Sequence, residues 1–226
     1  MNLLAIDAST EGCSVALSIN GDMLTRYIVT PRGHSQRLLG MVDEVLTEAG
    51  MKLKNLDGLV FDRGPGSFTG VRISTSVCQG LAFGAELPVV AISSLAALAQ
   101  GALRVHHANK VLAAIDARMG EIYAGWYKEQ AGIMRPVQEE WLGKAEHLPP
   151  NDTDWFGAGT GWGTYYDQLN QHLADPESSH NQEALPHAED LISLAIPEFE
   201  SGKVLNPEQA LPVYLRNQVT HGGSGL

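Results

Sequence analysis

Leu3-Leu4-Ala5-Ile6-Asp7-Ala8 is an apolar run closed by an acid, with the length and composition of a buried strand. Ser14 to Ile19 alternates well enough to be its hairpin mate, and Asn20-Gly21-Asp22 supplies the turn into a third strand. The period then changes. Leu38, Leu39, Met41, Val42, Val45, Leu46 and Ala49 recur at helical spacing, with Ser35 placed to cap the helix and Gly50 to end it. Leu56 to Phe61 reads as the next strand, Gly64 to Gly70 as a loop, Val71 to Phe83 as a second helix, and Val89 to Ile92 as a further strand. Three strands, helix, strand, helix, strand make an α/β lobe.

The opening segment returns as Leu112-Ala113-Ala114-Ile115-Asp116-Ala117, and each copy runs on into a second strand-like segment, Val15 to Ile19 and Ile122 to Tyr127. The chain therefore divides into a first lobe over 1–103 and a second over 104–226 that restarts the first. The second lobe is less regular: Trp155-Phe156 is strand-like, 188–199 predicts a helix, Pro149 to Asp152 is a break, and Asp175 to Gln182 reads as an exposed loop. Residues 218–226, ending Gly222-Gly223-Ser224-Gly225-Leu226, have the composition of a flexible linker.

With 226 residues, 44% of them hydrophobic, the chain can bury a sizeable core, and no apolar run is long enough to cross a bilayer. The first residues carry no basic stretch and no small-residue cleavage site, so a cytoplasmic protein is expected. Cys13 and Cys78 are the only cysteines and form no CxxC pair, which predicts two buried, reduced thiols. The net charge of −11, with Lys and Arg scattered singly, opposes direct binding of a polyanion; work on nucleic acid would need a partner to supply the grip.

Asp7 at a strand end, followed by Ser9 and Thr10, is the arrangement in which actin-like ATPases and sugar kinases hold phosphate and Mg²⁺. The same residues also satisfy backbone groups at a hairpin turn. In the repeat, Asp116 is followed by Ala117-Arg118-Met119-Gly120-Glu121, which offers no hydroxyl and argues against a working kinase. Gly64-Pro65-Gly66-Ser67-Phe68-Thr69-Gly70 lacks the Gly-Lys-Ser/Thr of a Walker A loop; either Gly66 and Ser67 help to cradle an anion at a helix N-terminus, or the glycines serve close approach and the hydroxyls cap the helix. Gly157-Ala158-Gly159-Thr160-Gly161 has the same two readings. The eight histidines form no HExxH or HxxxH and no Cys/His cluster, and there is no GxSxG elbow.

Leu4 to Thr10, Gly64 to Arg72, Ile115-Asp116-Ala117-Arg118-Met119-Gly120-Glu121-Ile122-Tyr123 and Pro212-Val213-Tyr214-Leu215-Arg216 together resemble, in order, the signature segments of the TsaB (YeaZ) family. The resemblance implies an actin-like, hexokinase-like (ASKHA) pair of lobes that works with TsaD and TsaE to move a threonylcarbamoyl group, from an adenylate made by TsaC, onto the adenosine beside the anticodon of tRNAs reading ANN codons. It implies a homodimer when the chain is alone, tRNA contact only through the complex, and no membrane. In TsaD an HxxxH pair ligates the metal; the matching segment here is His34-Ser35-Gln36-Arg37-Leu38, so no metal site and no catalytic residue are expected, and the chain is read as a pseudoenzyme. Asp7, Ser9, Thr10, Gly66 and Ser67 become vestigial phosphate-loop residues, with no cofactor held stably by the chain alone and ATP or ADP entering at the level of the complex. Related chains pair through the first helix and the helix after the glycine loop, which points to Leu38, Met41, Val42, Val45, Arg72 and Thr75 as partner surface; a helix buried between layers of its own lobe is the alternative. A small-molecule kinase or ATPase and a metallopeptidase are the rival functions.

Overall fold

The computed structural model describes residues 1–30, 33–149, 153–176 and 179–216. An antiparallel meander, β1 (Leu3–Asp7), β2 (Gly12–Ile19) and β3 (Asp22–Val29), leads into α1 (His34–Glu48). β4 (Gly58–Asp62), α2 (Phe68–Ala85), β5 (Val89–Ile92) and α3 (Ser94–His106) follow. The second half opens on β6 (Lys110–Arg118), β7 (Glu121–Gln130), β8 (Ile133–Pro136) and β9 (Trp141–Gly143). It continues through β10 (Phe156–Ala158), the single turns α4 (Gly161–Thr164) and α5 (Tyr166–Leu169), β11 (His180–Asn181) and α6 (Ala188–Glu200).

The two sheets run β3-β2-β1-β4-β5 and β11-β10-β6-β7-β8, with β9 also on β7. β1 pairs antiparallel with β2 and parallel with β4; β6 pairs antiparallel with β7 and parallel with β10. The repeated sequence segment is thus a repeated sheet plan. Apolar residues fill both parities of each central strand because both sheet faces are covered. Leu4 and Ile6 face α1 and α2, while Leu3 and Ala5 face the opposite way into a core shared with α3 and α6. Val111, Ala113 and Ile115 of β6 enter that same shared core, and Leu112 and Ala114 pack with Trp126, Trp155 and Trp162 on the far side. The order of layers is α1/α2, first sheet, α3/α6, second sheet, then α4/α5.

α3 lies across the expected boundary at 103 and 104, and α6, from the second half, packs on β1, β2, β4 and β5 of the first sheet. The expected loop at 175–182 contributes β11, paired in parallel with β10. Residues 150–152 of the expected break and the tail 218–226 lie outside the described residues. Cys13 and Cys78 are free and buried, and burial pushes the Cys13 thiol up to about 11.

The partner surface expected on α1 is corrected. Leu38, Val42 and Val45 are buried in the lobe's own core beneath β2, because their three-to-four spacing forms the stripe that the sheet covers. Thr75 is also buried, its hydroxyl donating to the Val71 carbonyl at 2.8 Å inside α2. Met41 is half-buried and Arg72 is exposed. The adjacent stripes face outward: Leu39 on α1 is 51% exposed and Phe83 on α2 is 66% exposed.

Candidate functional site

Parallel pairing of β1 and β4 sets Ile6 beside Phe61 and so brings the carboxyl groups that close the two strands together. Asp7 and Asp62 are both fully buried. Asp62 accepts from the Ala8 and Gly64 backbone N–H groups at 3.2 and 3.0 Å and from the hydroxyls of Ser74 and Ser94 at 3.0 and 3.2 Å. Asp7 accepts through Oδ1 only, from the Ser9 backbone N–H at 3.1 Å and the Ser9 hydroxyl at 2.8 Å; its Oδ2 is buried with no donor. Burial raises both carboxyls: Asp62 is raised by burial against the opposing pull of its hydrogen-bond donors, and Asp7 is raised well above its ordinary value by burial and then by the neighbouring charge of Asp62. Two buried carboxyls side by side do not both ionise readily, and the donors gathered on Asp62 favour the proton on Asp7.

The glycines of the loop serve a close approach. A Cβ on Gly66 would lie 2.2 Å from the Ser9 carbonyl oxygen, and one on Gly70 would lie 2.0 Å from that of Ala8. The loop presses on the β1–β2 turn, where the Ser67 N–H donates to Ser9 O at 2.6 Å. Ser67 Oγ caps α2 by accepting from Gly70 N–H at 3.3 Å. Thr10 Oγ1 accepts from Gly12 N–H within its own turn. Gly159 behaves as Gly66 does, with φ +109° and a Cβ position 2.4 Å from Ala114 O. Gly70→Ala is expected to lose on the order of 3 kcal/mol or more in urea unfolding, since backbone must move. Gly80→Ala, where nothing lies within 4 Å of the added carbon, should gain roughly 0.5–1 kcal/mol from helix propensity.

A cleft of about 970 Å³ opens between the strand ends of the two lobes. It brings Ser9, Thr10, Gly66, Ser67 and Arg72 of the first lobe to face Asp116, Arg118 and Thr160 of the second. Asp7 lies behind Ser9 and does not line it. In the second lobe Asp116 holds the Arg118 guanidinium at 3.0 Å, and Arg118 and Met119 both have positive φ, so the hairpin tip presents side-chain bulk in place of a phosphate loop. His34 begins α1, while the position four residues on is the wholly buried Leu38. Among the described residues no group of three or more His, Cys, Asp or Glu side chains could hold a metal ion.

Sequence reasoning missed Asp62, although Leu59-Val60-Phe61-Asp62 carries the signal that singled out Asp7, an acid closing an apolar strand. It also missed the mouth of the cleft, where the Arg72 guanidinium lies 3.3 Å from the Phe68 ring centroid and donates from Nε to Tyr214 Oη at 2.9 Å.

Residues 28–192 match the family model described as TsaD, tRNA N6-adenosine threonylcarbamoyltransferase. The tRNA threonylcarbamoyladenosine biosynthesis protein TsaB of Escherichia coli is 44% identical over 97% of this chain and 96% of its own length. That of Haemophilus influenzae is 39% identical over 97% and 95%. The solved structure of YeaZ from Pseudomonas aeruginosa is 51% identical, with a TM-score of 0.90 over 95% of this chain and 99% of its own. The two-sheet α/β architecture is thereby of the actin-like, hexokinase-like type.

Proposed function

The chain belongs to the TsaB family of tRNA threonylcarbamoyladenosine biosynthesis proteins, and from that premise we propose that it is the non-catalytic subunit that binds and activates TsaD. The observation that carries the non-catalytic reading is the state of Asp7. A working actin-like kinase needs this carboxylate ionised and open to Mg²⁺, whereas here it is fully buried beside Asp62, and burial pushes it well above its ordinary value. The hydroxyls that would flank a phosphate are engaged locally: Ser9 by Asp7 and Thr10 by Gly12. Leu38, buried in the core where the second metal-ligating histidine of TsaD would stand, points the same way.

The docking face is the outward side of α1 and α2. Gly40, Gly80 and Gly84 sit inside these helices with open space where a Cβ would go, so this fold alone has no need of them and each costs roughly 0.5–1 kcal/mol relative to alanine. A partner helix packed close to the backbone does need them. Leu39 and Phe83 supply the exposed apolar contacts beside them. The same face serves a homodimer when TsaD is absent; TsaE joins the complex, and any ATP or ADP is held at that level and not stably by this chain alone. Among the described residues no helix is long and apolar enough to cross a membrane, in keeping with work on tRNA in the cytoplasm.

The test is to mix the purified chain with TsaD, TsaE, tRNA and the threonylcarbamoyl adenylate. A stable complex and modified adenosine should appear only when this chain and TsaD are both present. Steady ATP turnover by this chain alone would instead favour the kinase reading. With a net charge of −11, the isolated chain should bind tRNA no better than about 10 μM at physiological salt, and submicromolar filter binding without partners would refute that.

A further inference from the structure

We infer that the C-terminal segment Leu211–Arg216 is a clasp that holds the rim of the inter-lobe cleft closed and ties helix α2 to the β6–β7 hairpin. The chain reaches this position in fixed steps. Leu205 and Val89 exchange backbone hydrogen bonds of 2.8 and 3.0 Å at the edge of the first sheet. Gln79 of α2 then donates to the Pro207 carbonyl at 3.0 Å, and Ala210 is buried in the core under α2. From there the segment crosses the cleft, with the Val213 N–H on the Arg63 carbonyl at 2.8 Å.

Its two outermost side chains grip opposite lobes. Tyr214 accepts from Arg72 Nε of α2 at 2.9 Å, with the Phe68 ring on the same guanidinium. Arg216, two residues on, donates to the Ala117 carbonyl at 3.2 Å and to the Glu121 carboxylate, both on the β6–β7 hairpin, and lies 3.5 Å from Met119 Sδ. Two residues of extended chain span only about 7 Å, so the rim cannot widen by more than a few ångströms while both grips hold. Leu215 lines this cleft and also a second one, of about 900 Å³, bounded by β5, β8 and α6, so the clasp is the partition between two cavities. The shared core of α3 and α6 joins the lobes on their inner side, leaving the clasped rim as the side free to open. Both grips are charge-assisted, that of Arg216 partly buried and that of Tyr214 exposed, strong enough to hold and open enough to release.

The link to α2 gives the clasp a use, which rests on the docking face proposed above: a partner seated on α2 beside Arg72 would tighten the hairpin across the cleft. Hydrogen–deuterium exchange on the isolated full chain tests the clasp itself. Arg216→Ala and Tyr214→Ala should each speed exchange of the hairpin amides 116–123 by on the order of tenfold, with unchanged exchange in β1 and β4. Arg118→Ala, which loses a 3.0 Å contact to Asp116 within the hairpin and an exposed 3.5 Å one to Glu11 but neither grip of the clasp, should change it much less. Unaltered hairpin exchange in both variants, or a change confined to 211–216, would overturn the clasp. In a second arm TsaD is added: it should slow hairpin exchange in the wild type and not in Arg216→Ala. Equal protection of both by bound TsaD would overturn the coupling. Failure of TsaD to bind at all would count against the docking face, and the first arm would still decide the clasp.

Discussion

Asp7→Asn is expected to fold with undiminished stability and to support tRNA threonylcarbamoylation at the wild-type rate, whereas Asp62→Ala should lose on the order of 3–5 kcal/mol. The asymmetry follows from who donates. Burial beside Asp62 disfavours a charged Asp7, and an asparagine is uncharged, has the same shape and brings an amide N–H that can lie against Asp62. Asp62 accepts from two backbone N–H groups and two hydroxyls, so alanine would take this acceptor from the buried Ala8 and Gly64 N–H groups and the Ser94 hydroxyl, while Ser74 keeps the Val71 carbonyl. The pH dependence has a definite sign. Burial raises Asp7, so above about pH 4 the folded chain keeps a proton that the unfolded chain has released. Stability from this pair is full below that pH and declines as pH rises toward the raised value, by about 1.4 kcal/mol per pH unit for each proton the folded chain retains. Urea unfolding at pH 5, 7 and 9 should show that decline in the wild type and a flatter profile in Asp7→Asn. A folded Asp7→Asn that cannot support modification would restore a chemical role to Asp7 and sink the non-catalytic reading.

The first lobe was legible because each of its strands is an apolar run bounded by turn residues, and the chain restarts with nearly the same run at Leu112. α3 was not. Ser94-Leu95-Ala96-Ala97-Leu98-Ala99 is almost wholly apolar because these turns lie between two sheets, and the polar Gln100, Arg104 and His106 come only towards the helix end. The partition between lobes was likewise hidden, since only three dimensions reveal that α6 returns to the first sheet. At the site, the glycine loop and Asp7 each admitted two readings, and no sequence carries the distances that bear on them: 2.0 Å from a Gly70 Cβ to Ala8 O, and an Asp7 oxygen with no donor.

The same limit explains the misplaced face of α1 and sharpens its test. Leu38 and Leu39 are adjacent, and on a helix adjacent residues stand about 100° apart, so a period alone names two apolar stripes without saying which one the sheet covers. With Leu38 at zero exposure, Leu38→Glu would bury a carboxylate without a partner and should abolish the cooperative melt. Leu39→Glu and Phe83→Glu place the charge in water and should stay within about 0.5 kcal/mol of wild-type stability. Against TsaD the order reverses. A charge trapped in an apolar contact costs several kcal/mol, so the folded Leu39→Glu and Phe83→Glu variants should each weaken the complex by roughly a hundredfold or more, and tRNA modification should fall with it. Gly80→Leu supplies an independent probe, because it adds bulk to a helix surface that has open space in the free chain and would hold two helices apart in the complex. It should melt at or above the wild-type temperature and fail to bind. If all three variants fold and bind TsaD with unchanged affinity by calorimetry, the outward face of α1 and α2 is not the docking surface.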